Sequence, residues 1–353
     1  MPAPFDKPVK LWAQVTNTCN LDCVLCYGDC SDARRDEELS TAEWLEFIDH
    51  LVEEDFFQIY FEGGELLARP DFMTILEHCS RRLLTWMRTN GTLITADVAR
   101  QLRELGVGAV CVDLWAANEK THDELVGVPG SHARTVQGIR HLVAEGIPTV
   151  MCIILMRPNV GELQEYLELA HELGVGRVGV LRLYPIGRAK RKWPELALSL
   201  DEMTAALHGM KPPQDVYVMQ SWHPRDGNCC WENSGVDAYG RSIGCPYLRE
   251  YVDYGNIRQV PFLETWKHPL YVQLRESEIE GSCTQCDDAE GTGGGCRSSA
   301  YAFTGRWDAP DPFCSEQNKG VDLRVLPRRL LDEAPQPAGQ THGPDGGPAG
   351  LHP

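Results

Sequence analysis

Four cysteines fall within twelve residues near the N-terminus, in the run CNLDCVLCYGDC from Cys19 to Cys30. Thiolates bind metals and do redox chemistry, so disulfide, zinc and iron–sulfur readings compete for such a run. Cys19, Cys23 and Cys26 have the spacing CxxxCxxC. A cubane [4Fe–4S] cluster has four irons, normally each held by one thiolate, so three cysteines on a short loop leave one iron open to an outside ligand. Structural zinc takes four protein ligands, and Cys30 would supply the fourth, so this loop alone does not exclude zinc.

The remaining cysteines divide into two kinds. Cys229, Cys230, Cys245, Cys283, Cys286, Cys296 and Cys314 crowd the last third of the chain, whereas Cys79, Cys111 and Cys152 are scattered in apolar or helical surroundings. Free cysteine packs as a small hydrophobe, and these three read as inert core residues. The N-terminal stretch MPAPFDKPVK has no apolar segment of the secretory kind, and no apolar run reaches the roughly 18–20 residues that span a bilayer. A cytoplasmic protein without a membrane partner is expected. In a reducing compartment, clustered cysteines point to metal or redox chemistry rather than stable disulfides. With 51 acidic against 33 basic side chains the formal charge is -18, which would repel a phosphate backbone and argues against a nucleic-acid partner.

The elements that must position these thiols alternate between short apolar runs and helical periodicity, the pattern of βα units on a parallel sheet. LWAQVT is a first strand ending just before Cys19. STAEWLEFIDHLVEEDF opens on a capping box, Ser40 and Glu43, and continues as a helix with Trp44, Leu45, Ile48, Leu51 and Val52 on the apolar period. FQIYFEGGE, LLTWMRTNG, GAVCVDLWA, TVMCIILM and GRVGVLRLY follow as strands, each separated from the next by a helical segment. Six such units are too few for a closed eight-strand barrel but suffice for an open, curved one, with its chemistry on the loops after the strands. The expected divisions are an extension over residues 1–9, a partial barrel over 10–214, a cysteine-rich α+β region over 215–320 and a disordered Pro/Gly-rich tail over 321–353. Nothing in the short extension has the size of a fused peptide-recognition domain.

Four motifs follow successive strands in order. CxxxCxxC after the first strand resembles the radical S-adenosylmethionine (SAM) superfamily, and FEGGE after the second resembles its GGE motif. The resemblance implies that Glu65 and the nearby backbone hold the SAM amino group, with Gly63 and Gly64 allowing close approach of the main chain. Thr89, Asn90 and Gly91 match the family's third-strand loop, beside the ribose and substrate. THDELVGVPGSHARTVQGI is similar to the segment after its fourth strand, and YPIGRAK resembles its adenine-side loop. The later cysteines extend the likeness to family members with a SPASM domain, which carries auxiliary iron–sulfur clusters. On that pattern Cys230, Cys245 and Cys296, with Cys229 as an alternative, hold a first auxiliary cluster. Cys283, Cys286 and Cys314 hold a second. The fold implied is α/β, a partial (β/α)6 TIM-like barrel followed by a small cysteine-rich α+β SPASM domain.

This chain departs from the pattern in places. Thr292 stands where the family has a cysteine after Cys286, with Asp287, Asp288 and Glu290 as nearby carboxylates. Val126 replaces an arginine, so recognition of the SAM carboxylate is expected from Arg157 or Arg182. Asp113 and Tyr184 lie where the fourth and sixth strands end and are the expected catalytic contacts to substrate. Trp115 reads equally as core or cavity wall, Cys30 as a bystander, and Asp237 as part of a turn.

The chemistry implied is reductive cleavage of SAM on the cluster's open iron to a 5′-deoxyadenosyl radical, which takes a hydrogen atom from substrate. An electron donor of the flavodoxin or ferredoxin type would supply the reducing electron, and one or two auxiliary [4Fe–4S] clusters suit a net oxidation. The expected substrate is a ribosomally made peptide, modified by crosslink or C–H functionalisation. The alternatives are a small natural-product intermediate (an aminocyclitol, sugar or tetrapyrrole) and a non-catalytic metal-binding protein.

Overall fold

Eight parallel strands form one open sheet in the order β7-β6-β5-β4-β3-β2-β1-β8. The strands are β1 (Lys10–Gln14), β2 (Gln58–Glu62), β3 (Leu84–Thr89), β4 (Ala109–Asp113), β5 (Thr149–Ile154), β6 (Arg177–Leu181), β7 (Tyr217–Gln220) and β8 (Asn233–Val236). The structure is a computed structural model and describes residues 6–30, 35–220, 233–276, 279–280, 295–315 and 317–332. All six strands expected from the sequence are present. The sheet then continues through β7, paired with β6, and β8, paired with β1 from Lys10↔Asn233 to Ala13↔Val236. Both added strands come from chain beyond residue 214, so the cysteine-rich region is built onto the edge of the barrel sheet.

Period-2 alternation sorts each strand into two faces. Leu11, Ala13, Ile59, Phe61, Met87, Val110, Val112, Met151 and Ile153 join the main core. That core is completed by the helices α1 (Thr41–Glu53), α2 (Phe72–Ser80), α3 (Ala96–Glu104), α5 (Ser131–Ala144) and α6 (Leu163–Glu172), whereas α4 (Glu119–Val126) packs Leu125 and Val126 against Leu21 and Leu25 of the cysteine loop. α1 begins at the expected capping box: Ser40 accepts from the Glu43 N–H while the Glu43 carboxylate accepts from Ser40. The opposite strand face carries Trp12, Tyr60, Trp86 and, at the C-terminal ends, Gln14, Glu62, Arg88 and Asp113. Cys111 and Cys152 lie on this face too, buried against Tyr60 and Leu181 and hydrogen-bonded to each other. Cys79 is in the main core.

Residues 321–332, expected to belong to a disordered tail, are packed on the barrel. Leu323, Leu326 and Leu330 are buried, the Trp193 indole donates to the Leu323 carbonyl at 2.8 Å, and Arg328–Asp332 is helical. Apolar residues at 323, 326 and 330 follow a helical period and cover the barrel's flank, which a composition argument on Pro and Gly overlooks. Residues 333–353 lie outside the described ones. No helix among the described residues is long and apolar enough to cross a membrane.

Candidate active site

Parallel pairing sends every strand-end loop to one rim. There Cys19, Cys23, Cys26, Gly63, Gly64, Thr89, Asn90 and Asp113 line a single cleft. The apolar and aromatic walls are Leu21, Leu25, Tyr27, Trp115, Ile154 and Tyr247, and Cys30, Glu62 and Arg88 complete the lining. Motifs up to about ninety residues apart thus meet in one place.

The loop bearing the three thiols has no strand or helix of its own from Val15 to Cys30. Its backbone is held from outside. Asp22 and Val24 N–H groups donate to the carbonyls of Val126 and Leu125 at the end of α4, both at 2.9 Å. The Arg188 side chain donates to Asp29 at 2.9 Å, to the Cys23 carbonyl at 3.3 Å, and to Asp22 and the Cys30 carbonyl. The Arg188 N–H adds a bond of 2.9 Å to the Cys26 carbonyl. Gly187 makes this contact possible. It is left-handed (φ 58°), and a Cβ there would lie 2.4 Å from the Cys26 oxygen. The YPIGRAK segment therefore braces the cysteine loop directly.

Cys30 is buried at the edge of the same cleft: its thiol contacts the Asn17 side-chain oxygen at 3.4 Å and hydrogen-bonds with the Cys26 thiol, and its N–H points to the Cys26 sulfur at 3.4 Å. Hydrogen bonding from Cys30 holds the Cys26 thiol down to about 6, against burial. Burial pushes Cys19 up to about 12 and Cys23 upward as well. Such a trio keeps its charge only against a bound cation. Cys19, Cys23 and Cys26 around one cleft fit a cluster with one open iron.

The GGE and TNG loops are locked together by the Glu65 side chain, which is fully buried. Its carboxylate accepts from the Asn90 N–H at 2.8 Å, the Thr89 hydroxyl at 2.8 Å and the Leu67 N–H at 3.2 Å. Burial raises it to about 6, with the Asn90 N–H and Thr89 hydroxyl pulling the other way. Gly64 lets this loop rest on the cysteine loop, since a Cβ would meet the Thr18 oxygen at 2.0 Å. Asn90 turns its amide to Asn20 at 2.8 Å, and its carbonyl accepts from the buried Thr135 hydroxyl of α5 at 2.8 Å.

Asp113 lines the cleft but is engaged by Arg88, whose Nε lies 2.9 and 3.0 Å from the two carboxylate oxygens. Tyr184 stands one layer back, stacked on Tyr247 with centroids 3.9 Å apart, and Tyr247 is the ring that lines the cleft. Arg182 is buried and paired with Asp311 at 2.6 Å, and Arg157 is exposed with a bond of 3.2 Å to the Ala197 carbonyl. Neither arginine lines the cleft. Asp311 also accepts from the Cys296 N–H at 2.9 Å, and its carbonyl accepts from the Cys314 N–H at 3.0 Å. Two expected auxiliary ligands are thus oriented by one residue. Cys245 is buried at the start of the short helix Pro246–Leu248. Cys229, Cys230, Cys283, Cys286, Thr292 and the carboxylates near Thr292 lie outside the described residues. Asp237 accepts from the Tyr239 and Arg241 N–H groups, as a turn residue does.

Sequence reasoning passed over Arg188, Arg88, Tyr247 and Glu62. A signal existed for Glu62 and Arg88: each sits two residues after an inward aromatic, Tyr60 and Trp86, and so shares its face.

Comparison with known proteins matches residues 13–170 to the radical SAM superfamily and 229–287 to an iron–sulfur cluster-binding domain. The AdoMet-dependent heme synthase of Methanosarcina barkeri is 30% identical over 89% of this chain and 98% of that protein. The PqqA peptide cyclase of Gluconobacter oxydans is 29% identical over 89% and 92%. The mycofactocin maturase MftC of Mycobacterium ulcerans is 30% identical over 94% and 95%. Among solved structures, Streptococcus suis SuiB superposes with a TM-score of 0.68 at 14% identity, covering 88% of this chain and 77% of that one. anSMEcpe with bound AdoMet gives 0.64 at 15%, covering 88% and 95%. These structural likenesses establish the shared fold.

Two outcomes follow from this geometry. Arg188→Ala should weaken iron retention by about 10-fold or more in chelator competition, because it releases four points of the cysteine loop at once. His122 is buried with its Nδ1 accepting from the Trp115 N–H at 3.0 Å, and burial, with His132 nearby, lowers it to about 4. The unfolded chain protonates this ring near pH 6.5, so its stability contribution is full above that pH and lost as pH falls toward 4. Denaturant midpoints of wild type and His122→Leu should therefore converge on acidification, by up to about 3 kcal/mol.

Proposed function

The chain belongs to the radical SAM superfamily, and on that premise we propose that it is a SPASM-type oxidative maturase acting on a ribosomally made peptide. The observation that carries the substrate class is similarity along nearly the whole chain to two peptide-modifying relatives, PqqA peptide cyclase and mycofactocin maturase. Cys19, Cys23 and Cys26 would hold the SAM-binding [4Fe–4S] cluster. Gly63, Gly64, Glu65, Thr89 and Asn90 would form the SAM side of the cleft. When bound, cluster and SAM together supply the oxidising power to take a hydrogen atom from an unactivated carbon.

The chain's own residues orient and enclose. Glu65 keeps the GGE and TNG loops at a fixed separation and still has acceptor capacity toward an ammonium group. Leu21, Leu25, Trp115 and Ile154 give the cleft apolar walls that keep water from a reactive centre. Asp113 is held by Arg88 in place for contact with substrate, and Tyr184 acts through Tyr247. Cys245 and Cys296, with Cys229 or Cys230, would hold one auxiliary cluster, and Cys283, Cys286 and Cys314 a second, with Thr292 leaving its ligand set incomplete. Such clusters accept the electron that a substrate radical gives up on oxidation. A flavodoxin- or ferredoxin-type donor in the cytoplasm would supply the first electron. The partial barrel over 10–214 and the auxiliary-cluster region over 215–320 share the work in this way.

A second reading, oxidation of a tetrapyrrole, is favoured by the likeness to the heme synthase over 98% of that relative's length. Anaerobically purified protein should contain iron and sulfide and, with a reductant, form 5′-deoxyadenosine. Cys19→Ala/Cys23→Ala/Cys26→Ala should abolish that product, and stoichiometric zinc without sulfide would sink the radical reading. Short peptides encoded beside the gene and a haem-type tetrapyrrole then separate the substrate classes. The peptide reading expects loss of two hydrogens from a peptide by mass spectrometry.

A further inference from the structure

Glu62 is the last residue of β2, immediately before the GGE glycines, and its carboxylate accepts a hydrogen bond from the Tyr27 hydroxyl of the cysteine loop. It is 3% exposed, its Oε1 is fully buried without a hydrogen-bond partner, and it lines the cleft. The neighbouring guanidinium is not available to it, because Arg88 places its Nε on both oxygens of Asp113 and its Nη2 at 2.8 Å from one of them. Arg249 also acts on Glu62 from a distance, but it lies behind the cysteine loop against Gly28 and Cys30, with Asp237 as its main counter-charge.

We propose that Glu62 is the substrate-recognition residue of this cleft and that it receives a positively charged side chain of the peptide. This deepens the peptide reading above and rests on it. Among the cleft-lining ionisable groups outside the cysteine loop, Glu62 and Asp113 face a single cation, Arg88, and burial raises Glu62 to about 7, so it is only partly ionised until a cation arrives. A buried carboxylate without a cation beside it is driven toward its neutral form, and a ligand that brings the missing cation restores the charge and gains a charge-assisted hydrogen bond. The same cleft presents the rings of Tyr27, Trp115 and Tyr247, surfaces that attract ammonium and guanidinium groups. Tyr27 and Tyr247 meet edge to face at 5.4 Å, and Tyr247 is backed by the stacked Tyr184. The wall is therefore stiff before a substrate arrives. A hydrocarbon side chain would fill the same space without answering the Glu62 oxygen, and a neutral amide would donate to it without supplying the positive charge.

The test uses the cluster-loaded protein with SAM and N-acetylated pentapeptides Gly-Gly-X-Gly-Gly, X being lysine, arginine, glutamine or norleucine, with affinities read by calorimetry or ligand-observed NMR. Lysine and arginine peptides should bind about 10-fold or more tightly than the norleucine peptide. Glu62→Gln should collapse that ratio toward unity, and Glu62→Asp should restore part of it. A wild type without charge preference overturns the proposal, as does a preference that survives in Glu62→Gln. Iron content and circular dichroism show whether Glu62→Gln folds. If it does not, the proposal stands or falls on the wild-type ratio and on Glu62→Asp. A wild type that modifies a peptide yet ignores its charge rejects the role of Glu62 while leaving the peptide reading in place. Modification of a tetrapyrrole alone rejects the peptide reading itself.

Discussion

Three thiols must stand at fixed separations on a loop that has no hydrogen-bond ladder of its own. Everything else at the rim of the sheet answers to that constraint. The loop is pinned by the end of α4 on one side and by Gly187 and Arg188 on the other, and both contacts end on its backbone carbonyls or N–H groups. Pinning the backbone leaves Cys19, Cys23 and Cys26 lining the cleft, while the Cys30 thiol is engaged by Asn17 and by Cys26. Arg188 suits this role because one planar guanidinium reaches several acceptors at once.

A second set of constraints ties neighbouring strand ends. Glu65 joins the loops after β2 and β3, Arg88 joins β3 to Asp113 of β4, and Thr135 of α5 holds the Asn90 carbonyl. Each tie is buried, so each is strong while intact and costly when half broken. The rim behaves as one unit, and a ligand against Asn90 is felt at Glu65 through a single hydrogen bond. The C-terminal region is joined to the same unit. β8 extends the sheet beyond β1, and Arg182 crosses to Asp311, which orients the backbone of both Cys296 and Cys314. A residue at the end of a barrel strand thus sets the position of thiols more than a hundred residues away in sequence.

The six βα units, the cysteine loop and the order of the GGE and TNG motifs were legible because they rest on local facts: hydrophobic period, capping chemistry and ligand spacing. The helix starting at Ser40 is one case, since its capping box is written in residues three apart. The packed stretch from Leu323 to Leu330 was missed because its apolar residues are few and their partner surface, around Trp193 and Tyr301, is distant in sequence. Arg182 and Arg157 read alike in the sequence as cations after strands. Only tertiary packing distinguishes them, burying one against Asp311 and exposing the other.

By itself the sequence determined which chemistry the chain can perform, because metal ligation and close backbone approach demand particular residue types at particular spacings. The tertiary structure decided which of the polar residues around that chemistry are already spoken for. Asp113 is satisfied by Arg88, and Arg182 by Asp311, whereas Glu62 reaches the cleft with an oxygen unpartnered. The physical reason is that a charge is spent or available according to what lies within hydrogen-bond reach, and that neighbour is set by strand register and domain packing rather than by proximity in the chain.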